Sequence, residues 1–193
     1  NIFNPAAGGF AFAALCWPRE VFRFPIPFEK LSVQMTETIR IGDSVAHGLS
    51  VNSTPSVDYL DLLLGNVPGS MGTTHILVLA TCFLFLFVRK IAYASSTISC
   101  LAAAFFASFL FPVLPASPWL SASIEIMSGQ LFFASVFLIN DPVTSPKRQI
   151  PRLLYGTMVG VLSIVFRRIG NFEESVVFAL LLLNAVVWNL DLL

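Results

Sequence analysis

Long stretches of this chain carry no charged side chain, and that spacing limits the fold more than any other feature. No Asp, Glu, Lys or Arg lies between Lys90 and Glu125, or between Glu125 and Asp141. The uncharged run Ile91–Leu114 alone covers 24 residues, and roughly 20 mostly apolar residues cross a bilayer as a helix. Six segments are mostly apolar, Ala6–Trp17, Thr73–Val88, Ile91–Leu114, Leu120–Ile139, Leu153–Phe166 and Val176–Leu193, the fourth interrupted by Glu125 and the last by Asp191. The fold expected is all-α: a polytopic transmembrane helical bundle of about six helices, several of them short. Short or interrupted apolar segments mark helices that break or re-enter around a binding site. Residues 1–193 read as a single membrane domain, with 18–72 as an outer loop and 73–193 as a five-helix unit.

Charged residues make up 11% of the chain, against about 25% in soluble domains. The net charge of zero leaves no basic surplus to release counterions from a nucleic acid. Nineteen Phe residues collapse too readily for a disordered chain. Cys16, Cys82 and Cys100 lack the close spacing of a zinc or iron–sulfur site, so no metal centre is expected. Neither His47 nor His75 stands in a nucleophile motif, and no catalytic residue is assigned. The chain begins at Asn1 rather than Met, which reads as upstream sequence missing.

Basic residues in short loops face the cytoplasm. Arg89-Lys90 and Lys147-Arg148 with Arg152 are separated by two expected spans, so both lie on the inner side and 18–72 lies outside. Arg167-Arg168 then falls on the outer side against the rule. Either Glu173 and Glu174 neutralise it, or it contacts a ligand or partner.

Two dipeptides place Asn or Asp directly before proline: Asn4-Pro5 and Asp141-Pro142. Proline suits the first helical position and Asn or Asp suits the cap, so both predict helix starts. They serve as caps alone, or as two half-helix N-termini whose positive ends face one electron-rich ligand. The stretch Gly65-Asn66-Val67-Pro68-Gly69-Ser70-Met71-Gly72 specifies an irregular backbone, either a plain re-entrant turn or an anion-binding nest. Glu125 and Asp191 are acids within apolar segments, where ionisable groups are expensive and by default functional. Glu125 is a candidate for ion passage or partner pairing, while Asp191 near a helix end also has water within reach.

In order, Phe3-Asn4-Pro5-Ala6, Gly65–Gly72 and Asp141-Pro142-Val143-Thr144-Ser145-Pro146 resemble the family that contains the D subunit of the Rnf electron-transport complex (RnfD) and the B subunit of the sodium-translocating NADH:quinone reductase. Tyr155-Gly156, Arg167, Gly170, Glu174, Phe178-Ala179, Leu183-Asn184 and Asp191 fall where that family has its closing motif, and the Val-Thr-Ser-Pro wording is nearer the Rnf protein. The resemblance implies a membrane component of a redox-driven pump in the bacterial inner membrane, working with other membrane and peripheral subunits. It implies a fold of about ten spans in two related halves, of which this chain supplies the second half and the last helix of the first. It also implies electron transfer through an FMN coupled to Na+ or H+ movement.

In that family the FMN is joined through its phosphate to a Thr in an Asp-x-x-Ser-Gly-Ala-Thr motif. The corresponding place reads Asp43-Ser44-Val45-Ala46-His47-Gly48-Leu49-Ser50. Leu49 stands where the Thr belongs and Ser50 is the substitute acceptor, with Thr36, Thr38 and Thr54 in poorer surroundings. Thr73 replaces the Glu that follows the Gly-Ser-x-Gly stretch. The flavin environment implied is Asn4, Pro5, Asp43, Ser50, Gly65, Asn66, Gly69, Ser70, Gly72, Asp141, Pro142 and Thr144, with Glu125, Glu174 and Asp191 on the ion pathway. Riboflavin or a quinone is the alternative ligand. The alternative function is a diverged member without covalent flavin, acting in a structural role or as a channel- or transporter-like protein.

Overall fold

The computed structural model describes residues 2–27, 41–51, 53, 58–91, 93–115, 117–170, 173–187 and 190. It is mostly helical. Helix α1 (Pro5–Cys16) starts as expected, with the Asn4 side chain accepting from the N–H groups of Ala6 and Ala7 at 3.0 and 3.2 Å. The segment expected as an outer loop is a folded cap. It holds α2 (Pro18–Val21), a two-residue antiparallel ladder of β1 (Phe24–Pro25) with β2 (Ile41–Gly42), then α3 (Val45–Ser50) and α4 (Tyr59–Leu64). Val45, Leu49, Leu62 and Val67 of this cap form a small core with Leu114.

The apolar helices follow: α5 (Ile76–Val88), α6 (Ala94–Leu110), α7 (Pro118–Met127), α8 (Leu131–Phe133), α9 (Gln149–Gly170) and α10 (Ser175–Asn184). Among the described residues α9 is the one helix long and apolar enough to cross a membrane by itself. The segment Leu120–Ile139, expected as one span, is broken. Helix α7 and the continuation of α8 through Leu138 meet at 69°, and Ala134–Leu138 forms a π-helical turn. Helices α1, α5, α6 and α10 are shorter.

The main core is built where α6 lies against α9. Cys100 and Ala104 on α6 face Tyr155 and Val159 on α9, with Leu180 and Leu183 of α10 and Ala7 and Ala11 of α1 closing the cluster. Close approach is possible because α9 presents Gly156 and Gly160. A Cβ at either position would overlap the Ser96 or Cys100 carbonyl oxygen. This is the small-residue spacing by which helices pack in membranes. Helix α5 instead exposes Leu77, Val78, Leu84, Phe85 and Val88, an uncovered apolar face.

The second proline motif does not start a helix. The Asp141 carboxylate accepts from the Val143 N–H at 3.3 Å and the Thr144 hydroxyl at 2.8 Å, and its carbonyl from the Ser145 N–H at 3.0 Å. That closes a single turn. Pro146 then disfavours the α conformation at Ser145, and α9 begins only at Gln149.

Candidate functional site

The break between α7 and α8 creates the site. Ser128 is extended and Gly129 takes a φ of 67°, a left-handed conformation that glycine adopts without steric cost. The break leaves carbonyls at the end of α7 and N–H groups at the start of α8 without intrahelical partners. Two buried side chains from the α9–α10 end of the bundle supply those partners. Arg167, 1% exposed, donates from Nη1 to the Glu125 carbonyl (2.9 Å) and the Ser128 hydroxyl (3.1 Å), and from Nη2 to the Ser128 carbonyl (3.3 Å). Glu174, 2% exposed, accepts the Gln130 N–H on Oε2 at 2.7 Å. A cation thus sits at the negative end of α7 and a carboxyl at the positive end of α8, the arrangement that helix dipoles favour. Gly129 separates them: a Cβ there would stand 3.1 Å from Glu174 Oε2 and 3.4 Å from Arg167 Nη2.

Glu125 is fully buried and pairs through Oε2 with Arg168 Nη2 at 2.8 Å, while its Oε1 has no partner among the described residues. The Arg167-Arg168 pair is therefore matched mainly across space, to the broken helix, rather than by the next two acids in sequence. Glu173 turns instead toward α3, where its carboxylate accepts the Ser44 hydroxyl and lies 4.0 Å from His47 Nδ1.

Above the break lies a cleft of about 470 Å³, its wall formed by Asp43, Ser44, His47, Glu173, Glu174 and Phe178. Below it, an enclosed space of about 10 Å³ touches Ser44, Thr73, Ser128, Gly129 and Glu174, room for about one water molecule. Ser44 and Glu174 line both spaces and so stand between the cleft and the helix break.

Burial raises the Glu174 carboxyl from its ordinary 4.5 to about 8, against the opposing pull of the Gln130 N–H and Arg167. Burial raises Glu173 as well, opposed by Ser44 and His47. The folded chain therefore holds a proton on Glu174 over a pH range in which the unfolded chain has released it. That contribution to stability is complete below about pH 4.5 and declines as pH rises toward 8. Glutamine keeps the acceptor for Gln130 and removes the titration. Unfolding temperatures of wild type and Glu174→Gln, compared between pH 5 and 9 (about the window of that titration), are expected to show a flatter profile for the variant. Parallel profiles would contradict the assignment.

The residues singled out from sequence fall into separate places. Ser70 reaches the break, accepting from Gln130 Nε2 at 3.3 Å and pairing with Thr73 at 2.7 Å, and Gly69 lines the enclosed space. Gly65 and Gly72 have φ of 78° and 82° at the ends of the stretch, and Asn66 donates to Asp61 rather than to the break. The two proline motifs do meet: the Asn4 side chain (3.3 Å) and the Asp141 N–H (3.4 Å) both donate to the Leu138 carbonyl. That point is the far end of the α8 segment from Gln130, which Ser70 of the glycine stretch contacts. Asp43 lines the larger cleft. Leu49 is buried in the cap core. Ser50 is fully buried and donates to the His47 carbonyl at 2.8 Å. Asp191, Thr36, Thr38 and Thr54 lie outside the described residues.

Sequence reading assigned no role to Ser44, Ser128 or Gln130, and set Glu173 against Arg167-Arg168 rather than against Ser44. The triplet Ser128-Gly129-Gln130 inside an apolar run was the available signal for a break. Ser44 precedes a helix as a good cap, and its hydroxyl oxygen accepts the His47 N–H at 3.0 Å.

One protein-family sequence model, described as the NQR2, RnfD, RnfE family, matches residues 1–193. The D subunit of an ion-translocating oxidoreductase complex from Pseudomonas paraeruginosa is 29% identical over 205 residues, covering 99% of this chain and 60% of its own length. The Halorhodospira halophila protein of the same description is 26% identical, with the same coverage. The B subunit of the Na(+)-translocating NADH-quinone reductase of Chlamydia felis is 31% identical over 144 residues, 68% of this chain and 29% of its own. The chain thus spans about 60% of the length of the first two relatives.

Proposed function

Because the chain belongs to the NQR2, RnfD, RnfE family, we propose that it serves as a membrane subunit of a Rnf-type ion-translocating oxidoreductase complex. Its partners in this reading are the other membrane and peripheral subunits and the lipid of a bacterial inner membrane, which it crosses several times. The observation that carries the reading is the charged helix break. Ionisable groups inside an apolar bundle are expensive and accompany ion routes, and here Glu125, Arg167, Arg168 and Glu174 converge on one interrupted helix. Glu174 has the position of a carrier for Na+ or H+, since it borders both the larger cleft and the enclosed space at the break. Glu125, held by Arg168, keeps one oxygen without a partner among the described residues.

Among the described residues, the matched attachment position does not suit a covalent FMN. Leu49 has no hydroxyl, and the hydroxyl of Ser50 is buried and engaged with His47. The Asp43 carboxylate opposes a phosphate at the cleft. The apolar wall of Leu15, Phe22 and Phe178 suits an uncharged ring, and the cleft falls in the size range of about 300–1,000 Å³ typical of small-molecule sites. Riboflavin or a quinone is the ligand class that fits, and such a ring would bring the redox chemistry with it. The purified chain is expected to have its unmodified intact mass; an increment matching FMN would overturn this.

Ion transport provides the direct test. In the assembled complex reconstituted into vesicles, Glu174→Gln is expected to reduce donor-driven ion uptake by about tenfold or more while assembly persists. Uptake equal to wild type removes Glu174 from the route. The second reading, a family scaffold without redox cofactor, draws on the same Leu49 and Ser50 environment. It requires isolation without complex partners or flavin, and as a transporter it requires uptake independent of an electron donor.

A further inference from the structure

At the end of the bundle remote from the helix break, the two basic turns come together. A cavity of about 380 Å³ opens between the end of α5, the start of α6 and the start of α9. Its polar side carries Lys90, Ser95, Gln149 and Arg152, and its apolar side Phe87 and Leu153. Arg152 is held in place twice. Its guanidinium carbon lies 3.3 Å from the centre of the Tyr93 ring, and its Nε donates to the Pro146 carbonyl at 2.7 Å. Lys90 occupies the left-handed region at φ 57°, a conformation uncommon for residues other than glycine. Among the described residues no carboxylate lines the cavity, and that of Asp141 is engaged within its own turn.

We propose that this cavity binds the headgroup of an anionic phospholipid, with the phosphodiester between Lys90 and Arg152. Charge complementarity selects the anion: Lys90 and Arg152 both line the cavity, and basic pockets between membrane helices hold such headgroups. The apolar side selects a lipid over a free phosphate. Phe87 and Leu153 form the lower wall, and Ile91 and Ile150 beside it are exposed, so acyl chains continue along a surface that is already apolar. The planar guanidinium, set by Tyr93 and Pro146, presents its fork to phosphate oxygens, while Lys90 supplies a point charge. The inference stands apart from the ion-route reading and requires only that α9 crosses a bilayer.

The test uses the full chain in detergent, with phosphatidylglycerol or phosphatidylcholine added and bound lipid measured by native mass spectrometry. Retention of phosphatidylglycerol over phosphatidylcholine is expected. Lys90→Gln with Arg152→Gln is expected to weaken that retention by about tenfold or more. Lys90→Gln alone, at an exposed side chain that leaves the Tyr93 and Pro146 contacts intact, is expected to weaken it severalfold with unchanged unfolding temperature. Arg89, next in sequence to Lys90, does not line the cavity, and Arg89→Gln is expected to leave retention near wild type. Equal retention of both lipids, an equal loss in Arg89→Gln, or no loss in Lys90→Gln overturns the proposal. Complete displacement by millimolar inorganic phosphate would overturn it in favour of a free-phosphate site.

Discussion

A Gly160→Leu variant is expected to yield little folded protein. On α9, Gly160 faces the Cys100 carbonyl so closely that even a Cβ would overlap it, and Gly156 meets Ser96 in the same way one turn earlier. The obstacle is backbone in the middle of α6, not the flexible end of a side chain. Relief requires that α6 and α9 move apart, and the cluster around Cys100, Ala104, Tyr155 and Val159 would open with them. Overpacking of a core costs about 1–3 kcal/mol where side chains can yield; a blocked helix–helix contact belongs at or above the upper figure. Gly8→Ala in α1 provides the control, since a Cβ there meets nothing within 4 Å. It is expected to be neutral or to stabilise by up to about 1 kcal/mol. Unfolding temperature and monodisperse yield in detergent read both variants. A Gly160→Leu protein that melts like wild type would show that the helices do not approach as described.

Arg167→Met is expected to be nearly as damaging, for an electrostatic reason. The guanidinium is buried and engages two carbonyls and a hydroxyl around the break. Methionine keeps much of its length and removes the charge. The carbonyls of Glu125 and Ser128 then lose their donor, and the nearby Glu174 carboxyl loses the cation that Gly129 keeps beside it. Breaking a buried charged arrangement by removing one member costs about 3–5 kcal/mol. Arg167→Lys is expected to recover only part of this, because a single ammonium does not reproduce the fork that spans both carbonyls. The same unfolding measurement decides it. A methionine variant within about 1 kcal/mol of wild type would mean that the break is held by packing alone, since a lost charged hydrogen bond costs more than that.

These two residues also show what the sequence made legible. The apolar runs marked the helices, because a long uncharged run has few other ways to fold. Asn4-Pro5 marked a true helix start because capping is local: the side chain needs only the next three residues. Asp141-Pro142 has the same local chemistry and produced a single turn, because Pro146 lies five residues on and the chain had no room to continue. Arg167-Arg168 was read against its sequence neighbours Glu173 and Glu174. Its main partners came from Glu125–Ser128, some forty residues earlier, a pairing made where two side chains at the end of α9 reach the end of α7. The glycine stretch and the two proline motifs were grouped by their order in the chain. The α8 segment holds them at its opposite ends, and no spacing in a sequence reports that distance. Leu49 and Ser50 were legible as a departure in chemistry, and the structure adds that both are buried within the cap.

The π-helical turn at Ala134–Leu138 carries one consequence beyond closing the break. A turn that pairs the Ile139 N–H with the Ala134 carbonyl holds one residue more than an α turn, and each residue advances a helix by about 100°. Everything after it is therefore out of phase with α7 and the first residues of α8. That slip points Asn140 inward, where its amide reaches Thr97 and the Val136 carbonyl and its oxygen receives the Tyr93 N–H. A regular helix of the same sequence would turn Asn140 toward a different neighbour and leave the start of α6 unfastened. The join between the broken helix and the rest of the bundle thus depends on a count of residues as much as on their identity, and a single deletion in the turn would alter it as surely as replacing Asn140.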